Sequence, residues 1–374
     1  MKVEIPVCTR NWEVREKSEM VKAPALVVAI DKGQTAVNTA RKMRLIDHSL
    51  KIFTTIDELW IPLTRSIDEA ESNRLSVALG PIRVEEQDFD QRLQRPRTLT
   101  GALRDRLPPR LLATVPKSLD IVGHIAIVEL PDELVSFDKL IGEAILETCP
   151  NVRTVMAKAG IFSTDYRTRE LRLIAGDNKP VTCHKEHGCI FQLDVGTVYF
   201  SPRLSHERMR VVSQVQPGET VVDMFAGVGP YSVLVAKRQP LSVVYAVEAN
   251  PSAFKFLVSN VLANRVLKSV RPRMGDAREV VGSNLSALAD RVIMNLPGKA
   301  LDFVDVACSS LKRGGGVIHF YSFESADSAR EAASGKLKDR IESSGKELRS
   351  ILAARIVKEI APYRVQVAVD ARVA

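Results

Sequence analysis

The stretch Asp223-Met224-Phe225-Ala226-Gly227-Val228-Gly229-Pro230 joins an apolar segment, TVV from Thr220, to PYSVLVAKR from Pro230. The first segment is typical of a buried strand, and the second has the spacing of a helix. The two glycines therefore lie at a strand-to-helix turn. Glycine lets the backbone approach a ligand closely, and the turn leaves free amide groups at a helix N-terminus. The stretch predicts a ligand-binding loop on an α/β sheet.

The segments that follow alternate between strand and helix patterns from about residue 198 to the region of GGVIHFYSF. The strand segments after the first are SVVYAVEAN, VRPRM, RVIMN and GGVIHFYSF, with helical segments such as PSAFKFLVSNVLANRV between them. Such alternation predicts a doubly wound parallel sheet with helices on both faces. Ligands bind such sheets beyond the carboxyl ends of the strands.

Four of those strand ends carry residues that suit one cofactor. The loop after Asp223 reads DxFAGxG rather than the dinucleotide pattern GxGxxG, and its acidic residue suits a cationic head group such as the ammonium of methionine. Glu248 can accept the hydroxyls of a ribose, although capping a helix is its ordinary alternative. Asp276 in Gly-Asp-Ala can meet the amine of adenine, and Asn295 in Asn-Leu-Pro lies where a methyl group would be delivered. Together they predict S-adenosylmethionine binding.

The remaining chain divides into smaller units by composition. Residues 1–75 form a small N-terminal domain, and the polar stretch 76–100 is interpreted as a linker. Residues 101–190 form a middle α+β domain, with a hairpin expected to turn at 176–178, and 191–374 form the Rossmann-like domain. The C-terminal part from residue 324 is interpreted as a charged helix pair followed by a strand at 364–369, and the preferred role of this part is a helix and an edge strand that complete the sheet.

Composition limits the class of protein. The chain has 374 residues and a net charge of +8, which favours a polyanionic partner such as nucleic acid. Its charged N-terminus does not resemble a secretory signal, so a cytoplasmic location is expected. Cys183, His184, His187 and Cys189 crowd together without a CxxC pair, and two strands with polar residues at their turn are the ordinary interpretation. We therefore expect no metal.

The chain resembles the archaeal and eukaryotic tRNA methyltransferases that act on N1 of guanosine at position 37. The matching stretches are TDYRTRELRLIAG, VYFSPRLSHERMRV, VVDMFAGVGPYSV, AVEANP, GDAR, VIMNLPGKALDFVD and GGGVIHFY, and they cover most of residues 155–325. The N-terminal unit is similar to the extra domain with which archaeal members check the tRNA body. The resemblance implies that tRNA is the partner, that the middle domain binds RNA, and that the fold is of the methyltransferase type. A monomer is the default expectation.

The resemblance also implies roles for individual residues. Glu207 matches the proposed general base, Arg167 matches the arginine that faces the target base, and Asn295 lines both the cofactor and the reacting guanine. Tyr199 lies at the rim of the active site, and Arg203 in the same stretch is assigned to the substrate. The cofactor site is assigned Arg208, Asp223, Phe225, Ala226, Gly227, Gly229, Glu248, Ala249, Asp276, Ala277, Asn295 and Pro297.

These roles are chemically consistent. Neutral guanine carries a proton on N1, so methylation there needs a base, and a carboxylate can serve if burial favours its protonated form. An arginine can stabilise the negative charge that spreads to O6. The ordinary alternatives are that Glu207 pairs with Arg203 or Arg210 on the helix surface, and that Arg167 or Arg169 binds phosphate or faces water.

Other functions remain open at this level. A wybutosine-pathway enzyme of the same fold transfers an aminocarboxypropyl group from the same cofactor, and some archaeal relatives methylate a tricyclic guanosine derivative. The Asn-Leu-Pro-Gly loop also resembles the NPPY loop of amino methylases, but no aromatic residue follows its proline. A noncatalytic RNA-binding protein is expected to lose Asp223, Glu248 or the glycines, which are kept. A small-molecule methyltransferase would not need the N-terminal units.

Overall fold

The computed structural model describes residues 20–91, 96–160 and 170–374. The chain divides into two compact units, one within residues 9–96 and the other comprising residues 97–374. None of the helices in the described ranges is long and apolar enough to cross a membrane.

The N-terminal unit is a four-stranded antiparallel sheet, in the order β2-β3-β1-β4, with two helices packed on one face. Its apolar core includes Leu26, Ile61 and Leu75, none of which is exposed to solvent. The elements are β1 (Met20–Ala29), α1 (Gly33–Lys42), β2 (Phe53–Thr54), β3 (Glu58–Pro62), α2 (Glu69–Leu79) and β4 (Arg83–Asp90).

Strand β4 lies inside the stretch that the sequence predicts as a linker, residues 76–100. It pairs antiparallel with β1, for example Leu26 with Val84. Its side chains are mostly exposed and only Phe89 is fully buried, because β4 is an edge strand with one buried contact. This explains why its composition resembles a linker and why sequence patterns missed the strand.

The second unit begins with an α+β region. A four-stranded sheet, ordered β5-β6-β7-β8, is covered by α3 and α5. The elements are α3 (Leu99–Leu103), α4 (Pro109–Leu112), β5 (Asp120–Val122), β6 (Ile125–Val128), α5 (Asp138–Thr148), β7 (Thr154–Lys158) and β8 (Leu171–Gly176). Strand β8 pairs with β7 rather than with the strand after residues 176–178, so the hairpin expected at that turn is wrong.

The hairpin lies further along, between β9 (Val181–Glu186) and β10 (Cys189–Asp194), with His187 and Gly188 at the turn. Asn260 lies in the helix Pro251–Ala263 of the C-terminal domain, and Asn264 directly follows that helix. Both side chains donate to and accept from the backbone of β10 at 2.6–3.0 Å. The polar cluster therefore forms two strands with polar residues at their turn, as predicted, and the hairpin docks on the large domain. The predicted domain boundary at residue 190 falls within β10.

The C-terminal sheet has seven strands in the order β13-β12-β11-β14-β15-β17-β16. The first five are parallel, and β17 and β16 run antiparallel to their neighbours. The elements are α6 (Ser205–Val212), β11 (Thr220–Asp223), α7 (Pro230–Arg238), β12 (Val243–Glu248), α8 (Pro251–Ala263), β13 (Val270–Met274), α9 (Ala277–Asn284), β14 (Arg291–Met294), α10 (Val304–Ser310), β15 (Gly316–Ser325), α11 (Ala329–Ser343), β16 (Leu348–Ala361) and β17 (Arg364–Val373).

Helices cover both faces of this sheet, which confirms the predicted doubly wound α/β fold. Helices α6, α7 and α8 share one apolar core with Val221 of β11, and α9, α10 and α11 share the other with Val222. The alternation of Val221 and Val222 between the two cores follows from the two-residue period of a strand. Because β11, β12, β13 and β14 are parallel, their carboxyl ends lie at the same edge of the sheet.

The predicted C-terminal helix pair is wrong in its second member. Only α11 forms, and the stretch after it is β16, which pairs with β17 along its whole length. Ile351, Ile356 and Val357 are β-branched and favour a strand. The chain reverses near Tyr363, whose φ of +60° belongs to a turn.

Candidate functional site

The glycine loop after β11 has the backbone that the sequence predicts. Gly227 and Gly229 have φ angles of +57° and +88°, which favour glycine, and Gly229 precedes the first residue of α7. A Cβ atom on Gly229 would lie 2.6 Å from Cδ1 of Leu257, whereas a Cβ on Gly227 would meet nothing closer than 4.0 Å. A side chain at position 229 would therefore displace Leu257 of α8, whereas Gly227 has open space on its Cβ side.

Asp223 ends β11 and is completely buried. Its Oδ2 accepts a hydrogen bond from the hydroxyl of Ser232 at 2.6 Å, and its Oδ1 has no hydrogen-bond partner among the described residues. Burial, reinforced by the nearby charge of Glu248, raises the pKa of the Asp223 carboxyl to about 7. A buried acceptor without a partner favours a cationic donor from a ligand.

Glu248 ends the neighbouring strand β12 and faces the same loop. Its Oε2 accepts from the backbone N–H of Gly227 at 2.7 Å, and its Oε1 accepts from that of Asn250 at 2.7 Å. Burial raises the pKa of this carboxyl, while the backbone hydrogen bonds oppose the shift. The two amides fix the carboxylate at the strand end and leave its remaining lone pairs for ligand hydroxyls. Ala249 follows it directly.

The other two strand ends lie at the same edge. Asp276 caps α9 by accepting from the N–H of Arg278 at 2.8 Å; its side chain is exposed, whereas Ala277 is buried. Asn295 follows β14, which pairs in parallel with β11 so that Asp223 is opposite Ile293. The structure therefore brings together the predicted residues of all four strand ends.

The side chains around these ends differ in exposure. Pro297 and Ala226 are buried, and Asn295 is half-buried. Phe225 packs edge-on against Phe303, with ring centroids 5.1 Å apart, which gives the loop an apolar wall. The unpartnered oxygen of Asp223, the open space at Gly227 and the fixed carboxylate of Glu248 fit a nucleoside carrying an amino acid, as in S-adenosylmethionine.

Glu207 lies in the first turn of α6 and only 4% of it is exposed. Its Oε1 accepts from the hydroxyl of Tyr321 at 2.8 Å and from Arg210 Nη2 at 2.7 Å, and its Oε2 accepts from Arg210 Nε at 2.9 Å. The Tyr321 hydroxyl is also 3.0 Å from the hydroxyl of Tyr231, in the first turn of α7. Hydrogen bonds therefore connect Glu207 to the helix that follows the glycine loop.

The sequence allows an ion pair with Arg210 as the alternative to a catalytic role for Glu207. The structure has this ion pair, but the Glu207 carboxylate is buried rather than on the helix surface. Arg203, the other arginine considered, pairs instead with Asp120 at 2.6 Å. Sequence patterns missed Tyr321 and Asp370, which lie in apolar strands. A polar residue within such a strand is the signal that identifies them.

Arg208 does not have a free guanidinium. It is 2% exposed and binds both oxygens of Glu186 while donating to the carbonyl of Ser201 at 3.1 Å. Its guanidinium carbon also lies 5.0 Å from the ring centroid of Phe200. The described contacts of Arg208 therefore anchor the β9–β10 hairpin to α6, and its predicted place at the cofactor stays a prediction. Arg167 lies outside the described residues.

A cavity of about 340 Å³ lies beside Tyr199 and Arg203, and we call it the Tyr199 cavity. Tyr199 also lies near the glycine loop, because its carbonyl oxygen is 4.0 Å from the position that a Cβ atom would take on Gly227. Four cationic side chains line it, namely Lys117, Lys158, Arg203 and Lys358, together with the three carboxylates of Asp120, Glu129 and Glu359.

Local partners hold three of these cations. Arg203 pairs with Asp120 at 2.6 Å, Lys158 pairs with Glu129 at 2.6 Å, and Lys358 donates to the hydroxyl of Ser201 at 3.2 Å. Lys158 and Lys358 are further site residues that sequence patterns did not single out. A cavity with cations and an aromatic side chain suits a nucleotide.

Two family models match this chain. The TRM5/TYW2 methyltransferase domain matches residues 182–349, and the TYW2 N-terminal domain matches residues 99–179. The chain is 37% identical over 349 residues to the tRNA (guanine(37)-N(1))-methyltransferase Trm5b of Pyrococcus abyssi, covering 93% of this chain and 98% of that protein.

Two further comparisons bear on the substrate. A solved complex of aTrm5 with tRNALeu has a TM-score of 0.68 and 28% identity, over 93% of this chain and 99% of that one. The tRNA 4-demethylwyosine(37)-methyltransferase Taw21 of Saccharolobus solfataricus is 33% identical over 68% of this chain and 93% of its own length.

Proposed function

Since this chain belongs to the TRM5/TYW2 methyltransferase family and uses S-adenosylmethionine, we propose that it transfers a methyl group to N1 of guanosine at position 37 of tRNA. The observation that carries the proposal is Glu207, a buried carboxylate joined through the hydroxyls of Tyr321 and Tyr231 to the helix after the glycine loop. A base fixed to the cofactor loop is what methylation of a protonated ring nitrogen requires.

Each residue at the strand ends binds a different part of the cofactor. Asp223 takes the ammonium group, Glu248 takes the ribose hydroxyls, and Asp276 with Ala277 takes the adenine. Phe225, Ala226, Gly227, Gly229, Ala249, Asn295 and Pro297 shape the rest of the site. When bound, S-adenosylmethionine supplies an activated methyl group.

The protein then has to deprotonate the guanine and exclude water. Glu207 accepts the N1 proton, and its burial keeps water from competing for it. Negative charge spreads to O6 as the proton leaves, and Arg167 is the residue assigned to stabilise it. Asn295, at the end of the strand beside Asp223, orients the reacting ring.

The Tyr199 cavity receives the nucleotide. Its volume of about 340 Å³ suits one nucleotide unit, and its cations suit the phosphates on either side of it. The target guanosine turns out of its stack so that Tyr199 can contact the base. In the free enzyme Arg203 is held by Asp120, and an RNA phosphate competes with that carboxylate.

The other domains contact the rest of the tRNA. We assign the middle domain, residues 101–190, to RNA near the anticodon and the N-terminal domain to the tRNA body. Exposed basic residues at the end of α1, including Arg41, Lys42 and Arg44, support the second assignment. The monomeric state stays a prediction. The cytoplasmic location stays a prediction.

A second candidate is methylation of a tricyclic guanosine derivative at the same position, or aminocarboxypropyl transfer to it. The match of residues 99–179 to a TYW2 N-terminal domain and the likeness to Taw21 favour this alternative. The likeness to Trm5b extends over 98% of that protein, and therefore supports guanosine as the main substrate.

The test uses labelled S-adenosylmethionine and two tRNA transcripts that differ only by guanosine or adenosine at position 37. Wild-type protein is expected to label the guanosine transcript alone. Glu207→Gln should lower the single-turnover rate by about 10²–10⁴, the usual contribution of a general base. Glu331→Gln, an exposed glutamate on α11, is the matched control and should retain full activity. Equal labelling of both transcripts would remove the assignment to position 37.

A further inference from the structure

A chain of buried polar side chains lies behind Glu207 and extends across the C-terminal sheet. Its first member is Arg210, which binds both oxygens of Glu207 on one side. On its other side Arg210 binds both oxygens of Asp370, with Nη1 to Oδ2 at 2.5 Å and Nη2 to Oδ1 at 3.0 Å. One guanidinium is therefore shared by two carboxylates, each of which is less than 5% exposed.

The chain continues from Asp370 to His319, which is fully buried on β15. The Nδ1 atom of His319 is 2.7 Å from Asp370 Oδ1, and its Nε2 is 2.7 Å from Arg291 Nη1. Arginine can only donate, so Nε2 is the acceptor and Nδ1 carries the proton. Burial lowers the pKa of His319, which agrees with a neutral ring. Arg291 in turn binds both oxygens of Glu219.

This arrangement resolves a difficulty in using Glu207 as a base. If Arg210 had Glu207 as its only partner, a proton on Glu207 would leave a guanidinium, on a side chain that is only 19% exposed, without a counter-charge, which is unfavourable. Asp370 stays ionised, because the hydrogen bonds from His319 and Arg210 hold the pKa of its carboxyl far below the usual range despite burial. Arg210 therefore remains paired when Glu207 becomes neutral.

We propose that Asp370, held by His319, is a positioning residue for methyl transfer, which keeps Arg210 neutralised while Glu207 takes up the guanine proton. The proposal rests on the proposed function of Glu207 as the base. The described side-chain partners of Asp370 are Arg210, Gln214 and His319, and it acts on Glu207 through Arg210. Its charge sets how strongly Arg210 opposes protonation of Glu207.

The groups that face this pair come from several elements. Glu207 meets Arg210 on its own helix, Tyr321 on β15, and Arg355 on β16 at 3.9 Å, with Tyr231 of α7 behind Tyr321. Arg208, the neighbour of Glu207 in sequence, is already paired with Glu186. Asp370 meets His319, Arg210 and the amide of Gln214, whose Nε2 donates to Oδ2 at 3.0 Å.

The sign of the effect follows from these charges. Removing the charge of Asp370 leaves Arg210 wholly to Glu207, which makes Glu207 a weaker base. A negative charge added beside Arg210 has the opposite effect. Gln214 is only partly buried and its Nε2 donates to Asp370 Oδ2, so Gln214→Glu adds a second negative charge on the Asp370 side of Arg210.

The experiment measures single-turnover methyl transfer to the tRNA against pH for wild type, Asp370→Asn and Gln214→Glu. Asp370→Asn is expected to lower the plateau rate by about tenfold or more. It should also move the acidic limb of the pH–rate profile, where the rate falls as Glu207 becomes protonated, to lower pH by about one unit. The affinities for S-adenosylmethionine and tRNA should be unchanged. Gln214→Glu should move the limb to higher pH.

An acidic limb that stays in place in both variants, while the wild type methylates guanosine, overturns the proposal and leaves the proposed function intact. If Asp370→Asn does not fold, Gln214→Glu alone tests the proposal, because the acidic limb of its pH–rate profile must move to higher pH. A wild-type enzyme that transfers no methyl group to guanosine fails the proposed function itself. The two failures are therefore distinguishable.

Discussion

Binding of S-adenosylmethionine should depend on pH through one buried carboxyl. The pKa of Asp223 is about 7 in the free protein, because burial penalises its charge. The ammonium group of the cofactor pairs with the ionised form. Well below pH 7 the carboxyl is neutral, so binding must first remove its proton, and the affinity falls as the pH falls.

The magnitude follows from that pKa. If the ligand binds the ionised form alone, the dissociation constant scales with the inverse of the ionised fraction. It then rises about 25-fold between pH 7.5 and pH 5.5, or about 1.9 kcal/mol. An α-amino group has a pKa of about 8, so the ammonium group stays mostly protonated over this range.

The assay is calorimetric titration of the cofactor at several pH values, with unfolding checked at each. Adenosine is the matched ligand, because it has the ribose and base but no ammonium group. The affinity for adenosine should change little with pH. Because adenosine also has the ribose that Glu248 binds, any pH dependence that arises from Glu248 appears in adenosine binding as well. Asp223→Asn should bind the cofactor more weakly with little pH dependence. The reasoning is refuted if adenosine loses as much affinity as the cofactor, or if Asp223→Asn keeps the wild-type slope.

Three other changes have defined outcomes. Gly229→Ala places a methyl group 2.6 Å from Leu257 Cδ1 at a φ of +88°. It should therefore lower the free energy of unfolding by about 1–3 kcal/mol, measured by thermal unfolding, and weaken cofactor binding. An unchanged Tm would contradict this. Glu186→Gln leaves the buried Arg208 without a counter-charge and should cost about 3 kcal/mol in denaturant unfolding, whereas a loss below about 1 kcal/mol would show that the ion pair is dispensable. Arg203→Ala breaks a partly exposed ion pair, so the Tm should hardly change. Binding of tRNA should weaken, and the slope of log K for tRNA against log salt concentration should fall in magnitude by about 0.7–0.9. An unchanged slope would exclude a phosphate contact.

Much of the fold follows from local patterns. The parallel strands were predictable because they are buried on both faces and read as apolar runs separated by helices, as in TVVD from Thr220. Strands β4 and β16 were not, because they lie at sheet edges and only their pairing with β1 and β17 defines them. Edge strands bury little surface, so their composition resembles that of a linker or a surface helix.

The candidate site divides in a similar way. Its cofactor half was predictable because Asp223, Glu248 and the glycines occupy strand ends in a fixed order along the chain. The partners of Glu207 were not, because Tyr321 and Asp370 are distant in sequence and meet α6 only across the folded sheet. Nothing local in a run such as VQVAVDARV indicates which arginine a buried aspartate will bind.

The most direct test of the account is to identify the group that is transferred and the atom that receives it. The tRNA transcript with guanosine at position 37 would be incubated with S-adenosylmethionine labelled either in the methyl group or in the carboxyl group, and the product nucleosides separated. The account predicts methyl label in 1-methylguanosine and no carboxyl label in the RNA. Carboxyl label in the RNA, or methyl label on a nucleoside other than 1-methylguanosine, would contradict it.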